Sequence, residues 1–241
     1  MPWRLNPLAA GETLELVIHE PIGEMWDGTG VSSKKVIEAL NKFPRAKEIR
    51  AFINSPGGFA HDGMAIYSAL NRHPAKVTVE IEGVAASAAS IIAMAGDAIR
   101  IAESGFVMIH DAWGLVIGNA QQMRTAADDF DRLCTSMADV YAARSGQTAE
   151  AARTAMQAET WFTGKEAVAW GLATELVANK KAAACAIPPQ LRAAFSRLPD
   201  AVASAPVVVP AVKRAAGGTI DKVAARMDAV LAAHRARRIG A

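Results

Sequence analysis

The sequence has little of what several common functions require. Its 241 residues include only two cysteines, Cys134 and Cys185. They have no metal-ligand spacing, and Cys134 falls on the apolar side of a helical pattern, so neither a metal nor a redox role is expected. Long apolar runs are missing too. The most apolar window, "GVAASAASIIAMAG", is too short and too rich in small residues to span a bilayer, so no membrane partner is expected and a buried helix is the better reading. No export signal is expected, because the stretch "MPWRLNPLAAGETLELVIHE" is broken at Pro7, Gly11 and Glu12; a cytoplasmic location is expected.

What is present is a core. Hydrophobic residues make up 51% of the chain, enough for one large globular domain with an appendage. The formal net charge of +2 hides an asymmetry. Up to Val177 there are fifteen lysines and arginines against twenty-one acids, and beyond it eleven against three.

From Thr13 to Glu175 apolar strand-like runs alternate with helical patterns: "LELVIHE", "VSSKKVIEALNKF", "EIRAFIN", "DGMAIYSALNRH", "KVTVEIEG". That alternation predicts βα units, an α/β fold and a largely parallel sheet. The longest helix is predicted from Asn119 to Arg144, with Met123, Phe130, Leu133, Met137, Val140 and Tyr141 on one stripe and Ser145-Gly146 as its stop. Thr163 is placed to cap a short helix, Lys165 to Trp170, that Gly171 ends. The domain is expected to close near Val177, giving residues 1–177 as the folded unit. Residues 178–241 read as an alanine- and proline-rich basic tail, flexible up to about residue 217. A terminal amphipathic stripe follows, Ile220, Val223, Met227, Val230 and Leu231, which needs a partner surface.

Three stretches carry chemistry. In "AFINSPGGFAHDG" a strand ends in Asn-Ser-Pro-Gly-Gly, where adjacent glycines let the backbone turn sharply and expose amides. In "GVAASAAS" Ser87 follows a strand and opens a helix, so its hydroxyl stands where the Ala88 amide also points outward. The small neighbours Ala85, Ala86, Ala88 and Ala89 would let a substrate backbone approach. Ser90 competes as nucleophile, but one turn further on its hydroxyl is better placed to bond a preceding carbonyl. In "GFVMIHD" His110 ends an apolar strand and can serve as general base. His19, His61, His73 and His234 are weaker candidates. Glu159, in "AETWF", is the first candidate for the acid that orients the imidazole. Asp111 ranks second, since successive strand side chains point to opposite faces.

Taken jointly, "INSPGG", "AAS" before a helix, "MIH", and an acid before "WFTGKEAVAWGL" resemble the ClpP family of self-compartmentalising serine peptidases. The similarity runs from about Leu14 to Val177. It implies a ClpP/crotonase-like spiral of βαβ units, with the helix from Asn119 to Arg144 as the handle between two rings of subunits. It further implies Ser87 as nucleophile, His110 as base, Glu159 as acid, and the amides of Gly58 and Ala88 as oxyanion hole, with no cofactor. Housekeeping members of that family carry aspartate in place of Glu159, methionine in place of Ala88, and an axial N-terminal loop for which "MPWRLNPLAAGE" is short. "MIHDAWG" and "ETWFTGKEAV" are instead similar to ClpP-related head-maturation proteases of tailed phages and prophages. The resulting expectation is an ATP-independent, homo-oligomeric serine endopeptidase acting on capsid or scaffold polypeptides.

Other readings stay open. One is a housekeeping-type subunit fed by a Clp ATPase. Another is a crotonase-like acyl-CoA enzyme, which would leave Ser87 and His110 unexplained together. A third is a catalytically inactive shell or scaffold-binding module. The basic tail is expected to seek an acidic surface, whether its own ring, a scaffold protein or nucleic acid.

Overall fold

A computed structural model describes residues 3–8, 12–25, 29–178, 187, 192 and 195–203. Cys185, His234 and the stripe from Ile220 to Leu231 lie outside the described residues.

Among the described residues, eight strands form one mixed sheet. In chain order they are β1 (Trp3–Leu8), β2 (Thr13–Ile18), β3 (Glu48–Ser55), β4 (Lys76–Ala86), β5 (Ala98–Ala102), β6 (Phe106–Ile109), β7 (Thr160–Thr163) and β8 (Glu175–Val177). The order β1-β2-β3-β4-β5-β8 forms the main path, and β6 pairs with both β4 and β7. Pairing is parallel from β2 through β5 to β8 and between β4 and β6. It is antiparallel for β1 with β2 and for β6 with β7. The largely parallel sheet predicted from the alternating pattern is therefore present, with an antiparallel strand at each of two margins. Strand β1 was not anticipated; its Pro7 pairs opposite Leu14, and an edge strand is where a residue without an N–H is tolerated.

Strand β4 is the pivot of the fold. Its first half pairs with β5, from Thr78↔Ala98 to Ile81↔Ile101, and its second half with β6, from Val84↔Phe106 to Ala86↔Met108. The sheet thus forks around Gly83, and the fork delivers the C-terminal ends of β4 and β6 side by side. In parallel sheets that end is where functional groups gather, because the chain leaves the sheet there for helices and loops.

Helices α1 (Ser33–Leu40), α2 (Ala60–Arg72) and α3 (Ala88–Ala93) flank the sheet, followed by α4 (Ala120–Ser145), α5 (Ala149–Gln157), α6 (Gly164–Trp170) and α7 (Asp200–Ala203). The predicted signals operate at the long helix α4. Asn119 and Gln122 form a reciprocal capping box, and Gly146 closes the other end at φ 75. At α6, Thr163 and Glu166 form a second capping box, and Gly171 terminates the helix at φ 92. Only the C-terminal half of α4 is anchored, through buried Cys134, Met137, Ala138 and Tyr141. Cys134 is a free, buried thiol whose Sγ accepts from the Ala112 amide at 3.2 Å, in keeping with a packing role.

A second, smaller apolar cluster covers the opposite side of the β4–β6 fork. Val84, Ala86 and Met108 are buried there against Ile187, Phe195 and Val202, with Phe106, Trp161 and Leu198 at the margin. Part of the stretch read from sequence as an unpacked tail is therefore folded onto the sheet. The expected boundary at Val177 cuts through this packing.

Candidate active site

The register of the sheet brings Ser87 and His110 together. Ala86 pairs with Met108, and the Ser87 amide then donates to the Met108 carbonyl at 2.9 Å. One residue after β4 therefore stands beside two residues past Met108. Ser87 Oγ lies 2.8 Å from His110 Nε2, within hydrogen-bonding distance. Ser87 itself has φ 53 and ψ −124, between the strand and α3. A non-glycine residue held there is strained, which presents its side chain outward from a sharp strand-to-helix turn.

The glycine turn abuts this serine. Gly57 has φ +88, and a Cβ on it would lie 2.5 Å from the Ala86 carbonyl, 2.6 Å from Ser87 Cβ and 3.0 Å from the Ala88 amide. No side chain fits that gap. The turn is fixed from below: Ser55 Oγ donates to the Glu20 carbonyl at 2.7 Å and accepts from the Gly57 amide at 3.2 Å. A bridge between Ile22 and Gly58 holds the next residue. Among the described residues neither the Gly58 nor the Ala88 amide has an internal acceptor, so both are free to receive an oxygen.

His110 is buried. Burial, the largest influence, lowers its pKa below the usual histidine value of 6.5, while Glu159 and Asp111 pull the other way. The imidazole therefore tends to stay neutral, as a base must.

The acid side is arranged differently. Strand β7 runs antiparallel to β6, and Thr160 pairs with Ile109, so Glu159 and His110 are neighbours across the strand ends. Glu159 has φ 48; it and Ser87 are the two non-glycine residues with positive φ among those described. Its carboxylate, however, accepts from the backbone amides of Ser196 and Arg197, each at 2.7 Å, and from Trp161 Nε1 at 3.4 Å. Among the described residues, neither Glu159 nor Asp111 is hydrogen-bonded to the His110 ring. Asp111 is engaged by the Arg153 guanidinium, which also reaches Asp131.

The rival residues have other partners. Ser90 is buried and donates to the Ser87 carbonyl at 2.6 Å, with its oxygen 2.8 Å from the Tyr141 hydroxyl. His19 pairs with Glu82 at 2.7 Å, and His73 binds the Phe43 carbonyl and the Ala75 amide. His61 is exposed on α2. No cluster of three or more potential metal ligands occurs among the described residues. No helix among them is long and apolar enough to cross a membrane.

Sequence reasoning missed Phe195, Ser196 and Arg197 at this site. The Phe195 ring lies 6.1 Å from the His110 ring and packs edge-on to Trp161 at 5.6 Å. The spacing of Phe195, Leu198 and Val202 was a weak helical signal, but the two amides that bind Glu159 are backbone groups without a sequence signature.

A serine hydrogen-bonded to a buried histidine at the ends of two parallel strands, beside a double-glycine turn, is the kind of arrangement that serine hydrolases use. The particular family follows from comparison with known proteins. The Clp protease family model matches residues 16–180, and the chain belongs to that family. It is 34% identical over 110 residues to the ATP-dependent Clp protease proteolytic subunit of Oltmannsiellopsis viridis, covering 45% of this chain and 56% of that protein. It is 36% identical over 106 residues to the corresponding subunit of Ligilactobacillus salivarius, covering 43% and 54%. The matched region thus spans about half the length of these curated relatives. A solved structure of a ClpP1 point mutant from Listeria monocytogenes shares the fold, with a TM-score of 0.60 at 22% identity over 69% of this chain and 92% of that one.

Proposed function

We propose that the chain is a ClpP-type serine endopeptidase. The observation that carries this reading is the 2.8 Å contact between His110 Nε2 and Ser87 Oγ, with Ser87 strained at a strand-to-helix turn. As Ser87 Oγ attacks a peptide carbonyl, its proton passes to His110 Nε2, and the carbonyl oxygen becomes an oxyanion bonded to the amides of Gly58 and Ala88. Collapse breaks the C–N bond, His110 returns the proton to the leaving amine, and water then hydrolyses the acyl-serine by the reverse relay. Glu159 is the acid in this scheme, orienting the ring through Nδ1 and stabilising the imidazolium. Neither a cofactor nor a metal enters any step.

The substrate in this reading is a polypeptide, and the working form is a homo-oligomeric ring or double ring in the cytoplasm, with residues 1–177 as the core of the peptidase domain. The finer assignment, processing of capsid or scaffold proteins during phage head maturation without ATP, is supported by the likeness of "MIHDAWG" and "ETWFTGKEAV" to head-maturation proteases. A second reading, a proteolytic subunit fed by an ATPase unfoldase, is supported by what the curated relatives are called. Degradation of a folded protein only when ATP and an unfoldase are supplied would select the second.

Mass spectrometry after fluorophosphonate treatment tests the core of the proposal. The adduct is expected on Ser87 and should be lost in Ser87→Ala and His110→Ala. An adduct on Ser90, or none at all, overturns it.

A further inference from the structure

The acid of the proposed triad is bonded to the wrong partner for catalysis. Both Glu159 carboxylate oxygens are taken by consecutive amides of the C-terminal segment, Oε2 by Ser196 and Oε1 by Arg197, at 2.7 Å each. Such charge-assisted bonds are among the stronger ones available to a carboxylate. The segment that supplies them is held down independently. Phe195 and Val202 are buried on Val84, Ala86 and Met108, and Leu198 packs at the margin. The Phe195 ring sits between Trp161 and His110, whereas Ser196, Arg197, Asp200 and Ala201 face outward. Burying side chains of this kind contributes roughly 1.5–3 kcal/mol each before the entropy of ordering the segment is counted. The segment is therefore amphipathic, covers the face next to the base, and points two consecutive backbone amides at the one carboxylate that the base needs.

Resting on the peptidase reading above, we propose that residues 195–203 form an intramolecular latch that holds Glu159 away from His110 and keeps the peptidase in a low-activity state. Glu159 then has two arrangements, which differ in where the segment holds its carboxylate. In the latched one its oxygens accept from Ser196 and Arg197. In the released one an oxygen is available to the His110 Nδ1–H. The φ 48 backbone of Glu159 lies at the turn between α5 and β7, where a change of side-chain partner needs no movement of the sheet. Ser87 and His110 keep their contact in both arrangements, because the β4–β6 register fixes it.

Two variants of the full chain attack the latch by different routes. Ser196→Pro deletes one of the two amide donors, and Phe195→Ala removes the ring that anchors the segment beside His110. If the latch is closed about nine-tenths of the time, opening it raises the reactive fraction about tenfold. Both variants should therefore label Ser87 with fluorophosphonate, and cleave a small peptide, about tenfold faster than the unaltered chain, with circular dichroism confirming that the fold is kept. Equal or slower labelling in folded variants overturns the latch while leaving the peptidase reading intact, and would mean that the segment supports Glu159 in its working position. Absence of Ser87 labelling in the unaltered chain and in both variants overturns the peptidase reading and the latch with it.

Discussion

The two halves of the candidate site are built in different ways. Ser87 and His110 sit at the ends of β4 and β6, which are paired to each other, and the Ser87 amide continues that pairing to Met108. Their 2.8 Å contact follows from strand register, which a buried sheet specifies strongly. Glu159 sits one residue before β7, in a turn at φ 48, and its partners come from a segment more than thirty residues further along the chain. The proposed nucleophile and base are set by the core, whereas the proposed acid is set by whichever donors reach it. A site made in this way can be switched at its acid without disturbing its nucleophile.

The comparison is broken most severely at the acid. In a chain freed of the latch by Ser196→Pro, Glu159→Gln should lower peptide turnover by about 10³-fold or more, since an amide favours the wrong imidazole tautomer. Asp111→Asn, whose carboxylate serves Arg153 rather than the ring, should cost less than about tenfold there. In the unaltered chain the Glu159→Gln loss should shrink, because Glu159 is already held off the histidine. Steady-state kinetics on the double-mutant cycle decide the matter, and equal losses at the two acids would give the orienting role to Asp111.

On the nucleophile side the vulnerable point is the glycine turn. Gly57→Ala must place a Cβ 2.5 Å from the Ala86 carbonyl at φ +88. The turn has to move away from Ser87, and a displacement of about 1 Å in such a site costs on the order of 10²-fold in rate. Gly146→Ala is the control. Its φ is also positive, at +75, but nothing lies within 4 Å of the added methyl, so it should cost about 1 kcal/mol of stability and leave labelling of Ser87 unchanged. Similar labelling rates in the two variants would mean that Gly57 does not position the site.

This division also explains what could be read in the sequence. Ser87 and His110 were legible because each ends an apolar run whose strand character is local, and α4 and α6 announced their own caps at Asn119, Gly146, Thr163 and Gly171. Strand β1 was not, because Pro7 and the breaks after it obscure an edge strand whose partner is β2. Residues 195–203 were hidden for a different reason. "FSRLPDAVA" is short, interrupted by Pro199 and surrounded by alanine, and only the apolar face of Val84, Ala86 and Met108 makes Phe195 and Val202 core residues. Tertiary contact decides such a segment, and periodicity over nine residues carries too little signal to compete with it.

A smaller effect is expected in the pH profile. His110 is buried and faces Ser87, with Glu159 and Asp111 nearby and Arg153 behind Asp111. Burial dominates and lowers its pKa, so the neutral, base-competent ring persists below the ordinary value of 6.5. Activity should therefore fall only as pH drops through a value below 6.5, measured as the acid limb of kcat/KM. In Ser196→Pro the limb should move upward, because a carboxylate bonded to Nδ1 favours the charged ring. An acid limb that is the same in both chains would show that the partner of Glu159 does not change.

The least perturbing test lies behind the nucleophile, where α4 meets α3. Tyr141 is fully buried on α4, and its hydroxyl contacts Ser90 Oγ at 2.8 Å. Ser90 in turn donates to the Ser87 carbonyl at 2.6 Å, so a chain of two bonds links the long helix to the strained residue. Its last bond does not depend on the tyrosine, because the serine proton is already committed to the carbonyl and the Tyr141 hydroxyl is then the donor to Ser90. Tyr141→Phe removes that donor and leaves the Ser90–Ser87 bond in place. The expected cost is about 1 kcal/mol, typical of one net hydrogen bond, which for a domain of this size lowers Tm by about 2–4 °C. Fluorophosphonate labelling of Ser87 should proceed at nearly the unaltered rate. If labelling slows severalfold while Tm falls by no more than this, the Tyr141 hydroxyl helps hold the backbone of Ser87, and the nucleophile depends on α4 as well as on the register of β4 and β6.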